Sequence, residues 1–279
     1  MNPLRWLWRL YVEQVLCFEG STRPVSLLRI AIALLMWSRY AGHTAHPALA
    51  HTPDIIALNV LFWVSTTAML LGFQSRWAAG LAGVAGLAQF YWQGLHLGVE
   101  ALHVHHVYTL GITAALLAAT PCGGSFSVDR WLALRRAESR GEAAPPEWGP
   151  LWGQRIIAVM VCVMYLGTAY EKSYWHYLNG NAMEMAYTTL YLGSDVPMPP
   201  VAKALTAASS GVVWALEWLL PITLWFRRFR WVSIGLGVLM HAGMYILIPV
   251  ATFSLTMCGL YLMFLDPDEV HRHIDRALS

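Results

Sequence analysis

Residues 165–183 read YLGTAYEKSYWHYLNGNAM, and they pose the question of why an apolar helix runs straight into Glu171 and Lys172. The run behind them, Leu151 to Ala169, is close to the ~20 apolar residues that span a bilayer. A transmembrane helix that ends in ionisable residues is the reading that sets the fold class. Lys172 is one of two lysines, the other being Lys203, and the remaining sixteen of the eighteen basic residues are arginines. An amine, unlike a guanidinium, can give up its proton when desolvated. An ionisable group at membrane depth costs roughly 3 kcal/mol on insertion scales and is a functional candidate for that reason. The alternative is a lysine whose long stem carries its ammonium to the interface and marks only the membrane boundary.

Composition points the same way. Of the 279 residues, 57% are hydrophobic and 12% charged, and the mean hydropathy is +0.48. That is too apolar for a soluble domain of this size and predicts an all-α polytopic membrane protein. The formal net charge of +2 is small and its basic residues are dispersed, so no nucleic-acid partner is expected. Cys17, Cys122, Cys162 and Cys258 lie far apart without a CxxC pair, which predicts neither a thiol-ligated metal nor a disulfide framework. Fourteen tryptophans and twelve tyrosines suit a protein with two membrane interfaces. Residues 1–20 are expected to form an interfacial amphipathic helix rather than a signal peptide, with Leu4, Leu7, Trp8 and Tyr11 on one face and Arg5 and Arg9 on another.

Eight crossings are predicted within a membrane domain spanning 21–266. The first three run from Val25 to Ala41, Ile55 to Phe73 and Trp77 to about Gly94. Gly80, Gly83 and Gly86 in the third should allow close helix packing. A fourth covers about Leu102 to Thr120. Ser127 is then expected to cap an amphipathic helix on the membrane surface. The fifth is Leu151 to Ala169. The stretch from Asn181 to Ser210 reads as short helices over the outer rim. Val212 to Phe226, Trp231 to Pro249 and Ala251 to Leu265 complete the count, and 267–279 form a polar cytoplasmic tail.

With the amino terminus inside, thirteen arginines fall in inner segments and only Arg39, Lys172 and Lys203 in outer ones. That asymmetry predicts both termini in the cytoplasm and Lys172 on the extracytoplasmic side of the inner, or plasma, membrane.

The same accounting places His43, His46, His51, His96, His103, His105, His106 and His176 in or near outer segments. Such imidazoles can hold a substrate, relay protons or bind metal, or they can simply belong to polar loops. A metal-dependent alternative rests on His96, Glu100, His103 and His106, whose i, i+4, i+7 and i+10 spacing would line one helical face. His241 sits inside the apolar run GVLMHAGMYILI and needs a partner there. Glu217, in WALEWLLP, must be paired or neutral if buried, either as a structural link to a neighbouring helix or as part of a site.

Three motifs in order carry a resemblance. They are YLGTAYEKSYWHYLNGNAM, His106 followed by Ser127-Val-Asp129, and MHAGMYILIPVATFS, which holds His241, Phe253 and Ser254. Together they resemble the membrane half of the vitamin K-dependent gamma-carboxylases, also called the horizontally transferred transmembrane, or HTTM, domain, over about Ser21 to Leu265.

The resemblance implies an enzyme in which Lys172 is the base, with Gly180 following it, and His106 and His241 line the same site. Tyr165, Tyr170 and Trp175 would contact a reduced quinone similar to vitamin K hydroquinone. In that family a neutral lysine amine deprotonates the quinol. Its oxygen-dependent epoxidation then yields a base strong enough to take a proton from a peptide glutamate, whose carbanion captures carbon dioxide. The implied partners are thus the lipid bilayer, a lipid-soluble quinone and a peptide or protein substrate. The carboxylases continue into a large β-rich region where this sequence has DPDEVHRHIDRALS, so the acceptor is open between a glutamate and another group. A non-catalytic quinone-binding or peptide-maturation partner is the alternative from another class.

Overall fold

A computed structural model of the chain describes residue 8 and residues 12–44, 52–193, 198–247 and 251–279. Half of the helix expected over 1–20, residues 1–7 and 9–11, lies outside these residues, as do His46, His51 and Pro249. A π-helical turn, Val12–Leu16, is described. The chain is mostly helical and divides into two compact units, one holding the described residues up to Ile157 together with Leu265–Ser279, the other Ala158–Phe264.

The first unit contains β1 (Glu19–Ser21), α1 (Arg23–Thr44), α2 (Pro53–Leu71), α3 (Ser75–Ala88), α4 (His105–Leu117), α5 (Val128–Arg140) and β2 (Trp148–Pro150). The helix α6 (Trp152–Glu171) begins in this unit and continues into the second. There it is followed by α7 (Trp175–Leu178), α8 (Asn181–Tyr187), α9 (Pro200–Thr223), α10 (Arg230–Leu247) and α11 (Ala251–Leu260). The last helix, α12 (Pro267–Leu278), belongs to the first unit. Among the described residues α1, α2, α6 and α9 are long and apolar enough to cross a membrane. The other four expected crossings overlap helices that are not among these four: α3 with its π-helical continuation Gln89–His96, α4, α10 and α11.

Small residues set the packing of the first unit. A Cβ on Gly83 would overlap Ala115, lying 2.7 Å from its Cα, so α3 and α4 meet backbone to backbone. Gly86 approaches Gly111 and the methyl end of Met36 in the same way, whereas Gly80 leaves ordinary contact distance to Ala118. Where lipid removes the usual drive to bury apolar surface, such close approach supplies the association energy through dispersion.

One end of this unit is tied by polar groups. The guanidinium of Arg29, fully buried, donates to the carbonyls of Met69 at 2.7 Å, Leu70 at 3.2 Å and Phe126 at 2.6 Å. Those carbonyls lie at the end of α2 and just before α5, so a single side chain satisfies acceptors from two elements. Ser127 caps α5 as expected, accepting from the Arg130 amide at 2.9 Å. Asp129 reaches across to the start of α3 and accepts from the amides of Gln74 and Ser75, both at 2.8 Å. Gly72, at φ +69°, makes the turn between α2 and α3, and a Cβ there would strike Arg29 and Ser127.

Three expectations are corrected. First, α9 starts at Pro200, so 200–211 is part of one continuous helix and not a set of short rim helices. Pro200 occupies a first helical position that needs no amide hydrogen, and VAKALTAASS contains no strong breaker. The short helices lie earlier, at α7 and α8 and the π-helical Thr188–Leu192.

Second, 267–279 is a capped helix packed on α1 and β1 rather than a free tail. Asp266 caps it, Ser21 bonds His271 Nδ1 at 2.8 Å, and Arg23 donates to Asp275 at 2.6 Å and to Glu147 at 2.7 Å. Third, β1 and β2 form a two-stranded antiparallel ribbon that helical periodicity does not reveal.

The contrast between the glycines of α3 gives a direct test. Gly83→Val should lower stability by about 1–3 kcal/mol, while Gly80→Val should leave it nearly unchanged. Thermal unfolding of the two variants in the same detergent reads the difference.

Candidate functional site

The inward stripe of α6 runs through Ala158, Val161, Cys162, Tyr165, Thr168 and Ala169 to Lys172, a helical i, i+3, i+4, i+7 series whose apolar members are buried or half-buried. The opposite face carries Val159, Val163 and Leu166, all exposed, and Tyr170, which is 76% exposed. Lys172 follows the last helical residue and still donates its amide to Thr168 at 3.1 Å, so its side chain keeps the direction of the stripe. Glu171, one position earlier, is exposed and points away from it.

Lys172 meets a partner that the sequence presented separately. Its Nζ donates to Oε1 of Glu217 on α9, forming an ion pair in which the Glu217 side chain is 6% exposed and that of Lys172 25%. The ammonium also stands 5.8 Å from the centroid of the Tyr177 ring. On the other side of Lys172, Ser173 accepts at 2.8 Å from the indole of Trp214. The Glu217 stretch of α9 is shaped by Pro221, whose missing amide hydrogen frees the carbonyl four residues back, that of Glu217 itself. Cys162 contacts the Pro221 carbonyl at 3.4 Å and accepts from the Trp225 indole at 3.1 Å, fixing this turn against α6.

One turn and more below Lys172, the Tyr165 hydroxyl bonds Nε2 of His241 at 2.8 Å and also the hydroxyl of Tyr261. All three side chains are buried, with His241 at 1% exposure. The imidazole stands edge-on to Phe253 at 5.6 Å. Gly237 makes this arrangement possible, since a Cβ there would lie 2.5 Å from Cζ of Tyr261.

The two groups share one electrostatic neighbourhood. The Lys172 charge acts on His241, and the Glu217 charge acts on Tyr165 and on Tyr177. Three buried polar atoms here have no hydrogen-bond partner among the described residues: Glu217 Oε2, His241 Nδ1 and Ser254 Oγ. Thr168 stands beside the Glu217 carboxylate. Unsatisfied acceptors and donors in an apolar surround are costly unless something else pairs with them.

The other expected site residues are distributed differently. Trp175 is 77% exposed and, like Tyr170, faces outward rather than toward the buried polar groups. His106 belongs to the first unit, half-buried at the start of α4 beside Arg39 and His105. Gly180 adopts φ +85° and touches the backbone of Ala207 on α9, so its place in the motif is a backbone requirement.

The single helical face proposed for His96, Glu100, His103 and His106 does not form. The π-helical segment ends at His96, and α4 begins only at His105. His96 and His103 pack instead on Trp92 and Phe90. Among the described residues no group of three His, Cys, Asp or Glu side chains is placed to hold a metal ion.

The structure brings Lys172 against Glu217 and Tyr177, and Tyr165 against His241 and Tyr261. Sequence reasoning did not join Lys172 to Glu217 and did not name Tyr177 or Tyr261. One signal was available. An acid alone in one apolar run and an amine at the end of another each need a counter-charge, and lipid supplies none.

Comparison with known families gives one match. The model of the HTTM domain covers residues 25–268. No curated protein and no solved structure matches the chain.

Tyr165 is the hinge of the buried hydrogen bonds. Tyr165→Phe removes the partner of both His241 and Tyr261 and should cost about 1–3 kcal/mol, whereas Tyr174→Phe, at an exposed position, should cost little. Thermal unfolding in detergent compares them.

Proposed function

The chain belongs to the HTTM domain family and is a membrane protein, and from that premise we propose that it is an enzyme whose base is Lys172 and whose substrate is a lipid-borne quinol. The observation that carries the reading is the Lys172–Glu217 pair, set within electrostatic reach of a buried His241–Tyr165–Tyr261 chain. The orphaned polar atoms Glu217 Oε2, His241 Nδ1 and Ser254 Oγ are the kind of groups that would hold a ring bearing two oxygens. A reduced quinone bound there would supply an acidic hydroxyl and, with oxygen, the driving force of its own epoxidation.

The protein's part is proton handling. Lys172 and Glu217 hold one proton between them, and when it sits on the carboxylate the amine is free to act as a base. A positively charged amine could not take the quinol proton, so Glu217 is assigned the role of holding that proton for Lys172. Tyr165 and Tyr261 fix the imidazole of His241 so that Nδ1 stays available, and the surround of α6 and α9 leaves the Glu217 side chain only 6% exposed. His106 enters this reading from the motif resemblance alone. The acceptor would be a peptide glutamate carboxylated with carbon dioxide, or another group. The topology we favour has eight crossings with both termini cytoplasmic and Lys172 toward the extracytoplasmic side of the plasma membrane, as the arginine asymmetry suggests.

The same ion pair favours a second reading, in which it only ties α6 to α9 and the chain is a non-catalytic quinone-binding or maturation partner. Lys172→Arg separates the two, because arginine preserves the pair but does not deprotonate. Membranes containing the wild-type chain, supplied with vitamin K hydroquinone and oxygen, should form the epoxide as read by mass spectrometry. Lys172→Arg and Lys172→Ala should both reduce that rate at least 100-fold, in keeping with the loss of a general base. Epoxide formation that persists in Lys172→Arg, or is absent from the wild type, supports the non-catalytic reading.

A further inference from the structure

We infer that the first unit carries a binding site for one anionic phospholipid, built from an apolar groove on α2 and the arginine-bearing face of α5. The groove has a volume of about 530 Å³ and is lined by Trp63, Val64, Thr67, Leu71, Phe73 and Val128, with Ala68 at its floor. Its only hydroxyl, that of Thr67, is engaged with the Trp63 carbonyl at 2.6 Å, so the lining offers an occupant apolar surface alone. From Trp63 to Leu71 it follows about 12 Å of helix, enough to lay out the upper part of an acyl chain.

The groove ends at Val128, the first residue of α5, and beyond it the same face of α5 turns from apolar to cationic. Val128, Trp131 and Arg135 are spaced i, i+3 and i+7 and share one side of the helix. Trp131 is 55% exposed, and the Arg135 guanidinium stands 5.8 Å from the centroid of its ring. Apolar groove, interfacial indole and cation thus succeed one another, as chain, glycerol region and phosphate do in a lipid.

Charge decides the class of headgroup. Along α5, Arg135, Arg136 and Arg140 are exposed, while Asp129 is occupied at the start of α3. Among the described residues the acid paired with Arg135 is Glu138, at 3.5 Å in a solvent-exposed pair that contributes little. A zwitterionic headgroup would bring its own cation against these arginines, whereas a headgroup with net negative charge would not.

The test uses the full chain in nanodiscs that contain equal amounts of phosphatidylglycerol and phosphatidylcholine of the same acyl composition, with retained lipid counted by native mass spectrometry. The wild type should retain one phosphatidylglycerol in preference to phosphatidylcholine. Arg135→Gln should lower retained phosphatidylglycerol about fivefold, the share of one interfacial cation, without changing phosphatidylcholine, and Arg135→Lys should restore most of it. Ala68→Trp, which fills the groove, should lower both lipids. Equal retention of the two lipids by the wild type, or wild-type retention of phosphatidylglycerol by Arg135→Gln, overturns the inference. Because Arg135 is exposed, its variants carry the test even if Ala68→Trp does not fold.

Discussion

A charge placed among apolar helices has to find its counterpart inside the protein, because lipid offers neither a counter-ion nor a hydrogen bond. The molecule meets this constraint in three ways. The two terminal nitrogens of Arg29 donate to backbone carbonyls. The buried amides of Asn59, Gln89 and Gln93 satisfy one another across α2 and the end of α3. Lys172 and Glu217 form a pair of opposite charges. The first two arrangements spend most of their donors on neighbouring elements and are read most simply as fastenings. The third differs because it joins two ionisable side chains, and Glu217 Oε2 has no hydrogen-bond partner among the described residues.

That difference follows from local chemistry rather than from the identity of the helices. A guanidinium on carbonyls has one protonation state and a fixed fork of donors, so the geometry is static. An amine on a carboxylate has an isoelectric alternative in which both are neutral. Pro221 adds to this by breaking the ladder at Glu217, and Cys162 and Trp225 then hold the disturbed turn of α9 against α6. An otherwise regular pair of helices thereby acquires one place where polar groups are gathered but not all spent.

Much of the helical layout was legible in the sequence. The apolar runs, the cap at Ser127 and the close packing at Gly83 all depend on local pattern or residue size, and local pattern is what a sequence displays directly. The start of α9 was misplaced because the stretch up to Ser210 reads as too polar and broken to cross, yet after Pro200 at a first helical position VAKALTAASS contains no strong breaker. The ribbon of β1 and β2 was not legible, since its three-residue strands lie far apart in the chain and neither shows alternation over a useful length. The ordering of α12 escaped for a similar reason: a polar segment reads as a tail until its partners, Ser21 and Arg23, are known. The site was legible to the extent that its residues were chemically out of place. Lys172, His241 and Glu217 each stood out from an apolar run, but only coordinates bring the first and third together.

The motifs that carried the resemblance turn out to mix two kinds of residue. Ser127 and Asp129 cap two helices, and Gly180 supplies a positive φ and a close approach to Ala207, so their spacing is explained by backbone requirements alone. Lys172 and His241 are not explained that way. An imidazole in a span could be replaced by an apolar residue at no loss of regular structure, and a lysine pinned to a buried acid is a weak source of stability once the desolvation of both ions is counted. Residues that capping and packing account for say where the chain folds in a given way. Residues that they leave unaccounted for, gathered around unpaired atoms of Glu217, His241 and Ser254, are where a requirement beyond folding has to be sought.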